Sequence, residues 1–195
     1  MIYDVDFIKY NAETLVKDLE IGLNRWNHHF QNDELKVNQF GRILPLNTTA
    51  TYQYYNIFGL TSGSLLFHNL LKQVRMAVRD FLNTEEPLWF QSWVNVQGPD
   101  ELLDWHDHKD CNCHGFFFLQ VEPGTTRTIF EDFEVPNEIG KLYIGKPYTK
   151  HKVELVKPFK GKRISIAFDV SNHEDMNRMV TTYGDNLNLS YFPLD

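Results

Sequence analysis

From residue 88 onward the chain is a succession of short strand-like segments. Runs rich in β-branched and aromatic residues, several with alternating apolar and polar positions, are separated by turns that contain Gly, Pro or Asn. The predicted strands cover residues 88–97, 114–121, 126–130, 140–145, 151–156, 163–170 and 187–192. Many short strands at this spacing are typical of a β-sandwich or a jelly-roll.

Two amphipathic helices precede these strands. Residues 12–30 carry apolar side chains at helical spacing, namely Leu15, Leu19, Leu23 and Trp26. Residues 61–64 offer capping side chains to a second helix, which is expected to end near Asn83. Its apolar stripe is Leu66, Leu70, Val74, Ala77 and Phe81. We therefore expect a mainly β, α+β protein in which N-terminal helices pack on one sheet.

The length of 195 residues fits a single domain, 1–195. Residues 1–85 are expected to form helical support and loops, and residues 86–170 the β core. Residues 171–195 form a closing segment. This segment either completes the edge of the barrel or pairs with a second copy to make a homodimer, and the sequence leaves both options open.

Charge and composition narrow the classes of partner. A net charge of −7 argues against a nucleic-acid partner, because binding phosphates needs a clustered basic surface. No run of 18 apolar residues occurs, and residues 1–6 lack the features of a signal peptide. The two cysteines, Cys111 and Cys113, are too close for an ordinary structural disulfide. We expect a cytoplasmic protein with no membrane partner.

Residues 106–114 read His-Asp-His-Lys-Asp-Cys-Asn-Cys-His, and seven of these nine side chains can bind a metal. On a strand, His106 and His108 point to the same side, and two imidazoles there can bind one divalent ion. His151, just before a later predicted strand, is the candidate for a third ligand. A polar surface loop with solvated histidines is the alternative interpretation.

Arg163 heads the alternating segment Arg163-Ile164-Ser165-Ile166-Ala167-Phe168. Arg163 and Ser165 share one strand face, and the isoleucines share the other. If the first face lines the barrel, the guanidinium needs an anionic partner, because a buried unpaired charge is costly. A guanidinium beside a hydroxyl is a good receptor for a carboxylate. The alternative is an arginine at a strand end that reaches solvent.

A rival metal site uses the cysteines. Cys111, Cys113 and His114, together with His106 or His108, can be combined into a structural zinc site. The Cys-x-Cys spacing is tighter than the usual Cys-x2-Cys, and no second cysteine pair exists. The same cysteines can instead lie at the rim of a pocket.

Residues 90–170 resemble the 2-oxoglutarate- and iron(II)-dependent oxygenases. They are most similar to the small, prolyl-hydroxylase-like branch found in phages and marine bacteria. The matching motifs, in chain order, are Ser92-Trp93-Val94-Asn95, His106-Asp107-His108, His114-Gly115-Phe116-Phe117-Phe118, His151 and Arg163-Ile164-Ser165. The resemblance implies a double-stranded β-helix, that is, a jelly-roll or cupin-like barrel.

The resemblance also implies the cofactors and the site residues. His106, His108 and His151 would be catalytic as the ligands of Fe(II). Arg163 and Ser165 would bind the distal carboxylate of the co-substrate 2-oxoglutarate, and Asn95 would contact its other end. A hydroxylase of this kind oxidises an amino-acid side chain or a small metabolite and converts 2-oxoglutarate to succinate. The barrel interior would be rich in Phe116, Phe118 and Phe168.

One departure from the family pattern concerns position 108. Most of the superfamily has His-x-Asp, giving two histidines and one carboxylate, whereas His108 occupies the Asp position here. Asp104, Asp107 or Asp110 is therefore an alternative ligand or an orienting partner. Two other functions stay open: a cupin-type metal-binding barrel without keto-acid chemistry, and a non-catalytic structural or binding barrel.

The substrate is expected to be a small molecule or a peptide. Two segments are candidate covers of the entrance, residues 47–63 and residues 131–140. The first carries Tyr52, Tyr54, Tyr55 and Phe58, which either stack on a substrate ring or pack in the core.

Overall fold

The computed structural model describes residues 1–32, 55–183 and 190–194. Four helices are present in these residues: α1 (Asp6–Asn32), α2 (Ile57–Leu60), α3 (Leu65–Leu82) and α4 (His173–Tyr183). The strands are β1 (Ile2–Asp4), β2 (Leu88–Gln97), β3 (Cys113–Gln120), β4 (Thr126–Phe130), β5 (Glu134–Pro136), β6 (Lys141–Gly145), β7 (His151–Leu155), β8 (Arg163–Asn172) and β9 (Phe192–Pro193).

The strands form two antiparallel sheets. The larger has the order β1-β6-β3-β8-β2-β9, and the smaller has the order β5-β4-β7. Residues 103–106 run beside β7, where Val153 donates to the Leu103 carbonyl at 2.9 Å and His106 exchanges hydrogen bonds with His151. Between β2 and β8 the chain therefore passes back and forth between the two sheets, with β4 and β5 forming a hairpin in the smaller one. This is the order of a double-stranded β-helix, and it confirms the predicted fold class.

The two faces of the larger sheet differ in chemistry. Opposite residues of an antiparallel pair share a face. The outer face carries apolar side chains of β8, such as Ile166 and Phe168, and packs on Leu15 and Leu19 of α1 and Val74 of α3. The inner face carries every polar side chain of β8 that the sequence singled out. The helices therefore cover the outer face of the larger sheet. The inner face, with its polar side chains, is the candidate functional surface.

The second helix matches its prediction closely. Ser64 is the N-cap and accepts from the Phe67 amide, and Asn83 ends the helix in the left-handed conformation with φ 48°. The first helix begins at Asp6, six residues earlier than predicted. Sequence analysis also missed α2, α4, β5 and the short edge strand β1, which pairs with β6. Residues 187–189 of the predicted strand 187–192 lie outside the described residues. No helix in the described ranges combines the length and apolar character that a membrane span needs.

The candidate cover at residues 47–63 is only partly described. Tyr52 and Tyr54 lie outside the described residues. Tyr55 and Phe58 are core residues, with 3% and 5% of their surfaces exposed. They pack beneath the helices and are not part of an entrance.

Gly115 on β3 has no room for a side chain. A Cβ there would lie 2.3 Å from Cζ of Phe168 and 2.5 Å from the carbonyl oxygen of Tyr143. We expect Gly115→Ala to lower the free energy of unfolding by about 1–3 kcal/mol, because overpacking forces neighbours to shift. Urea denaturation measures this, and Gly63→Ala, which meets no atom within 4 Å, is the control. Equal stability of the two variants would contradict the packing described here.

Candidate metal centre

Three histidines converge inside the open end of the barrel. His106, His108 and His151 each present one ligand atom, and these atoms all lie within 4.8 Å of one another. His106 and His151 are brought together by paired backbone hydrogen bonds of 3.0 and 2.9 Å. The sequence separates these two residues by 45 positions, and the barrel makes them cross-strand neighbours. This spacing is suited to one ion at about 2 Å from each nitrogen.

Backbone carbonyls orient two of these rings. Nδ1 of His106 lies 2.8 Å from the carbonyl oxygen of Asp104. Nδ1 of His151 lies 3.0 Å from that of Thr149. A carbonyl only accepts, so each Nδ1 carries the hydrogen and each Nε2 keeps its lone pair for a metal. Burial lowers the pKa of both histidines, to about 4 for His151.

A carboxylate orients the third ring. Nδ1 of His108 lies 2.6 Å from Oδ1 of Asp169 on β8. Burial alone would lower the pKa of His108, but the charge and hydrogen bond of Asp169 outweigh it and raise the pKa. Trp93 stacks on the other side of the ring at 5.8 Å. Asp169 was not among the predicted site residues, although it shares a strand face with Arg163 and Ser165.

The three aspartates proposed from the sequence have other contacts. Asp104 takes part through its backbone carbonyl, and its side chain accepts from the Trp105 amide. Asp107 lies 3.8 Å from Lys109, and Asp110 lies 3.8 Å from Arg178. None of the three belongs to the metal-binding cluster found in the described residues.

A fourth histidine, His114 on β3, lies against the cluster. Its ring stacks on that of His108 at 4.4 Å and on that of His151 at 5.1 Å. It is 1% exposed, and Nε2 has no hydrogen-bond partner. Burial, followed by the neighbouring histidines, lowers its pKa to about 2. Sequence analysis assigned His114 only to a cysteine-containing zinc site.

The structure does not assemble that zinc site. Both thiols are free and buried, and burial raises the pKa of each. Cys113 packs in the outer core, whereas the next residue, His114, points inward, because side chains alternate along a strand. Cys113 is therefore not at the rim of a pocket.

Arg163 is buried on the inner face, deeper in the barrel. It is 2% exposed, and its Nη2 donates to Oε1 of Gln97, its partner across β2 and β8. Its Nε and Nη1 have no partner. Burial lowers its pKa to about 10, so the guanidinium remains charged at neutral pH. Gln97 was missed by the sequence analysis.

Ser165 and Asn95 lie one step nearer the histidines. They are cross-strand partners, and Nδ2 of Asn95 lies 3.5 Å from Oγ of Ser165. Both are buried. The structure thus brings Asn95, Ser165 and Arg163 together on the inner face, whereas the resemblance placed Asn95 at the end of the keto acid opposite Arg163.

Aromatic rings line the interior between these two groups. Tyr143 stacks on Phe116 at 5.0 Å and contacts Phe130 at 4.7 Å. Phe116 and Phe118 face inward as predicted. Phe168 does not, since it packs in the outer core beneath the helices and covers Gly115.

No protein-family model and no curated protein matches this chain. Similar solved structures include the non-haem α-ketoglutarate-dependent epimerase SnoN from nogalamycin biosynthesis, with 12% identity, TM-score 0.46, and coverage of 57% of this chain and 58% of that chain. An oxidoreductase of the 2OG-Fe(II) oxygenase family from Burkholderia pseudomallei has 15% identity, TM-score 0.44, and coverage of 55% and 59%. A cupin-2 domain protein from Shewanella frigidimarina has 17% identity, TM-score 0.31, and coverage of 50% and 96%. At these identities and TM-scores the similarity assigns neither activity nor ligand to this chain.

Removing the Asp169 carboxylate should weaken metal binding. We expect Asp169→Ala to reduce the affinity for Zn(II) about 10- to 100-fold, because His108 loses the partner that orients its ring. A competitive chelator titration measures the affinity. Asp107→Ala is the matched control, since Asp107 lies beside the same histidines without contacting a ring nitrogen. Equal losses in the two variants would show that Asp169 has no special role.

Proposed function

We propose that this chain is a non-haem iron(II), 2-oxoglutarate-dependent oxygenase, a hydroxylase of an amino-acid side chain or a small metabolite. One observation carries the proposal. A buried arginine with two unpaired donors lies on the same inner strand face as the carboxylate that orients a metal-binding histidine. A cupin-type metal site alone gives no reason to bury that charge.

The histidine cluster fits iron. Imidazole nitrogens are ordinary ligands of iron, and each of the three rings has its Nδ1 engaged by an oxygen atom. Three neutral ligands leave the site one negative charge poorer than two histidines and a carboxylate. Asp169 supplies a negative charge behind His108, because its carboxylate is hydrogen-bonded to the ring of that histidine.

The inner face of β8 fits the keto acid. Arg163 offers Nε and Nη1 to the distal carboxylate, and Gln97 holds the guanidinium from the other side. The Ser165 hydroxyl adds a donor, and the amide of Asn95 lies beside it. Arg163 and Ala167 are about 13 Å apart along the strand, and Ala167 faces Trp93 next to His108. A dicarboxylate held by Arg163 would extend along this face toward the histidines.

Iron(II) with bound 2-oxoglutarate would supply oxidation by molecular oxygen: one oxygen atom enters succinate as carbon dioxide is released, and the other enters a substrate C–H bond. The protein contributes orientation and exclusion of water. Phe116, Phe130 and Tyr143 form a wall without charged groups beside the histidines. Tyr143 is 3% exposed, and burial raises its pKa to about 12, so its hydroxyl stays protonated.

Exposed aromatic side chains flank the metal centre and support a substrate with an apolar part. Trp105 precedes His106 and is 47% exposed, and Tyr148, whose amide donates to the His108 carbonyl, is 62% exposed. Phe133, in the predicted cover 131–140, stacks on Phe130 at 4.3 Å. We propose that a small molecule or a peptide side chain enters here. Membership of the phage and marine-bacterial branch remains a prediction, as do the single domain, the cytoplasmic location and a homodimer.

A second candidate is a cupin-type metal-binding barrel without keto-acid chemistry. The observation that favours it is the all-histidine ligand set, because Asp169 contacts a ring nitrogen and is not in the cluster. The two candidates differ in their use of Arg163.

Anaerobic titration with Fe(II) and then 2-oxoglutarate separates the candidates. We expect a weak visible charge-transfer band from bidentate chelation. Arg163→Gln should weaken 2-oxoglutarate binding about 10- to 100-fold, the cost of losing hydrogen bonds to a charged group, with little change in Fe(II) affinity. Arg127→Gln is the control, since Arg127 is only partly buried and is paired with Glu154 away from the inner face. Metal binding without the band would favour the cupin-type function, and equal loss of both ligands would indicate misfolding.

His151 should be essential for metal retention. We expect His151→Ala to lose the ion while circular dichroism stays unchanged, because two imidazoles alone hold a divalent ion weakly. His68→Ala, an exposed histidine on α3, should retain the metal. Unchanged metal content in His151→Ala would remove His151 from the ligand set.

A further inference from the structure

His114 is a buried ring whose free nitrogen has no partner in the protein. Its Nε2 is inaccessible to solvent and makes no hydrogen bond. Leaving a buried polar atom unpaired costs about 1–3 kcal/mol, so such an atom calls for an explanation. The side chains around it are the rings of His108, His151 and Tyr143, none of which satisfies it.

The position of the ring matches that of the other three. The ring centres of His106, His108 and His151 are 4.2 to 5.6 Å apart. His114 lies at 4.4 and 5.1 Å from two of them, nearly parallel to both, with interplanar angles of 9° and 11°. It makes no ring contact with His106, whereas His106 contacts the other two. His114 and His106 thus lie on opposite sides of the same space.

The hydrogen bonding of the ring is also that of a ligand. The carbonyl of Lys146 accepts a hydrogen bond from His114. Because Nε2 is the unpaired atom, Nδ1 is the donor, and Nε2 keeps its lone pair. The carbonyls of Asp104 and Thr149 orient His106 and His151 in the same way.

We infer that His114 is a fourth nitrogen ligand of the resting metal centre. Its nitrogen is not part of the set whose members lie within 4.8 Å of one another. Two nitrogens on opposite sides of an ion, with metal–nitrogen bonds of about 2.1 Å, would be about 4.2 Å apart, so the His114 ring would have to move inward to bind the ion.

The inference rests on the metal centre of the proposed function and not on its keto acid. An octahedral ion with four imidazoles keeps two positions, and a chelating keto acid fills both. Molecular oxygen would need a further position, so one imidazole would have to leave. The oxygenase function therefore requires that His114 gives up its position when 2-oxoglutarate binds.

X-ray absorption of the full chain loaded with Zn(II) counts the imidazoles. We expect four imidazoles in the unmodified protein and three in His114→Gln. The Zn(II) affinity of His114→Gln should fall by about 10- to 100-fold or more, because losing even a group that only orients a ligand has an effect of this size. His173→Gln, an exposed histidine of α4, should keep four and the original affinity. If His114→Gln does not fold, the number of imidazoles bound to Zn(II) in the unmodified protein tests the inference by itself.

Three imidazoles in both the unmodified protein and His114→Gln would overturn the inference and leave the proposed function standing. No retained metal in the unmodified protein would overturn both. Repeating the count with 2-oxoglutarate separates them further. A fall from four to three supports both proposals, whereas four imidazoles with chelated keto acid supports the inference and contradicts the oxygenase.

Discussion

The ten-residue antiparallel pairing of β2 with β8 decides which side chains meet inside the barrel. It places Gln97 opposite Arg163, Asn95 opposite Ser165 and Trp93 opposite Ala167. A slip of one residue would turn these polar side chains toward the helices and the isoleucines toward the cavity. The apolar outer face, buried under α1 and α3, holds the register, because exposing that face would lose most of the hydrophobic stabilisation of the sheet.

The polar interior is tolerable because almost every buried group in it is paired within the protein. Each clustered imidazole has an oxygen acceptor at Nδ1, and these acceptors come from different parts of the chain: Asp104, Thr149 and Asp169. The exceptions are Nε2 of His114 and two nitrogens of Arg163. Unpaired buried polar atoms call for an explanation, and here all three belong to side chains on the inner face of the larger sheet.

Sequence patterns predicted six of the strands (β2, β3, β4, β6, β7 and β8) and the second helix to within a few residues, because alternation and helical spacing are local signals. The same alternation predicted that Arg163 and Ser165 share a face, and the structure shows that face inside. The first helix starts earlier than predicted, although Ile8 lies one helical repeat before Ala12 and is buried on the same stripe. Asp169 was missed, because its role depends on a partner 61 positions away.

What the sequence by itself determined is the set of chemical groups and the side of each strand on which they lie. Arg163 and Ser165 share a face because side chains alternate along a strand. His106 and His108 lie in an irregular segment with one isolated bridge at His106, and they converge only in the tertiary structure. Only the tertiary structure decided which of these faces point into one cavity. The contacts of His151 with His106, of Asp169 with His108 and of Gln97 with Arg163 all join residues distant in sequence. Such contacts follow from strand order and register, which are set by burying the whole apolar face and not by any local motif.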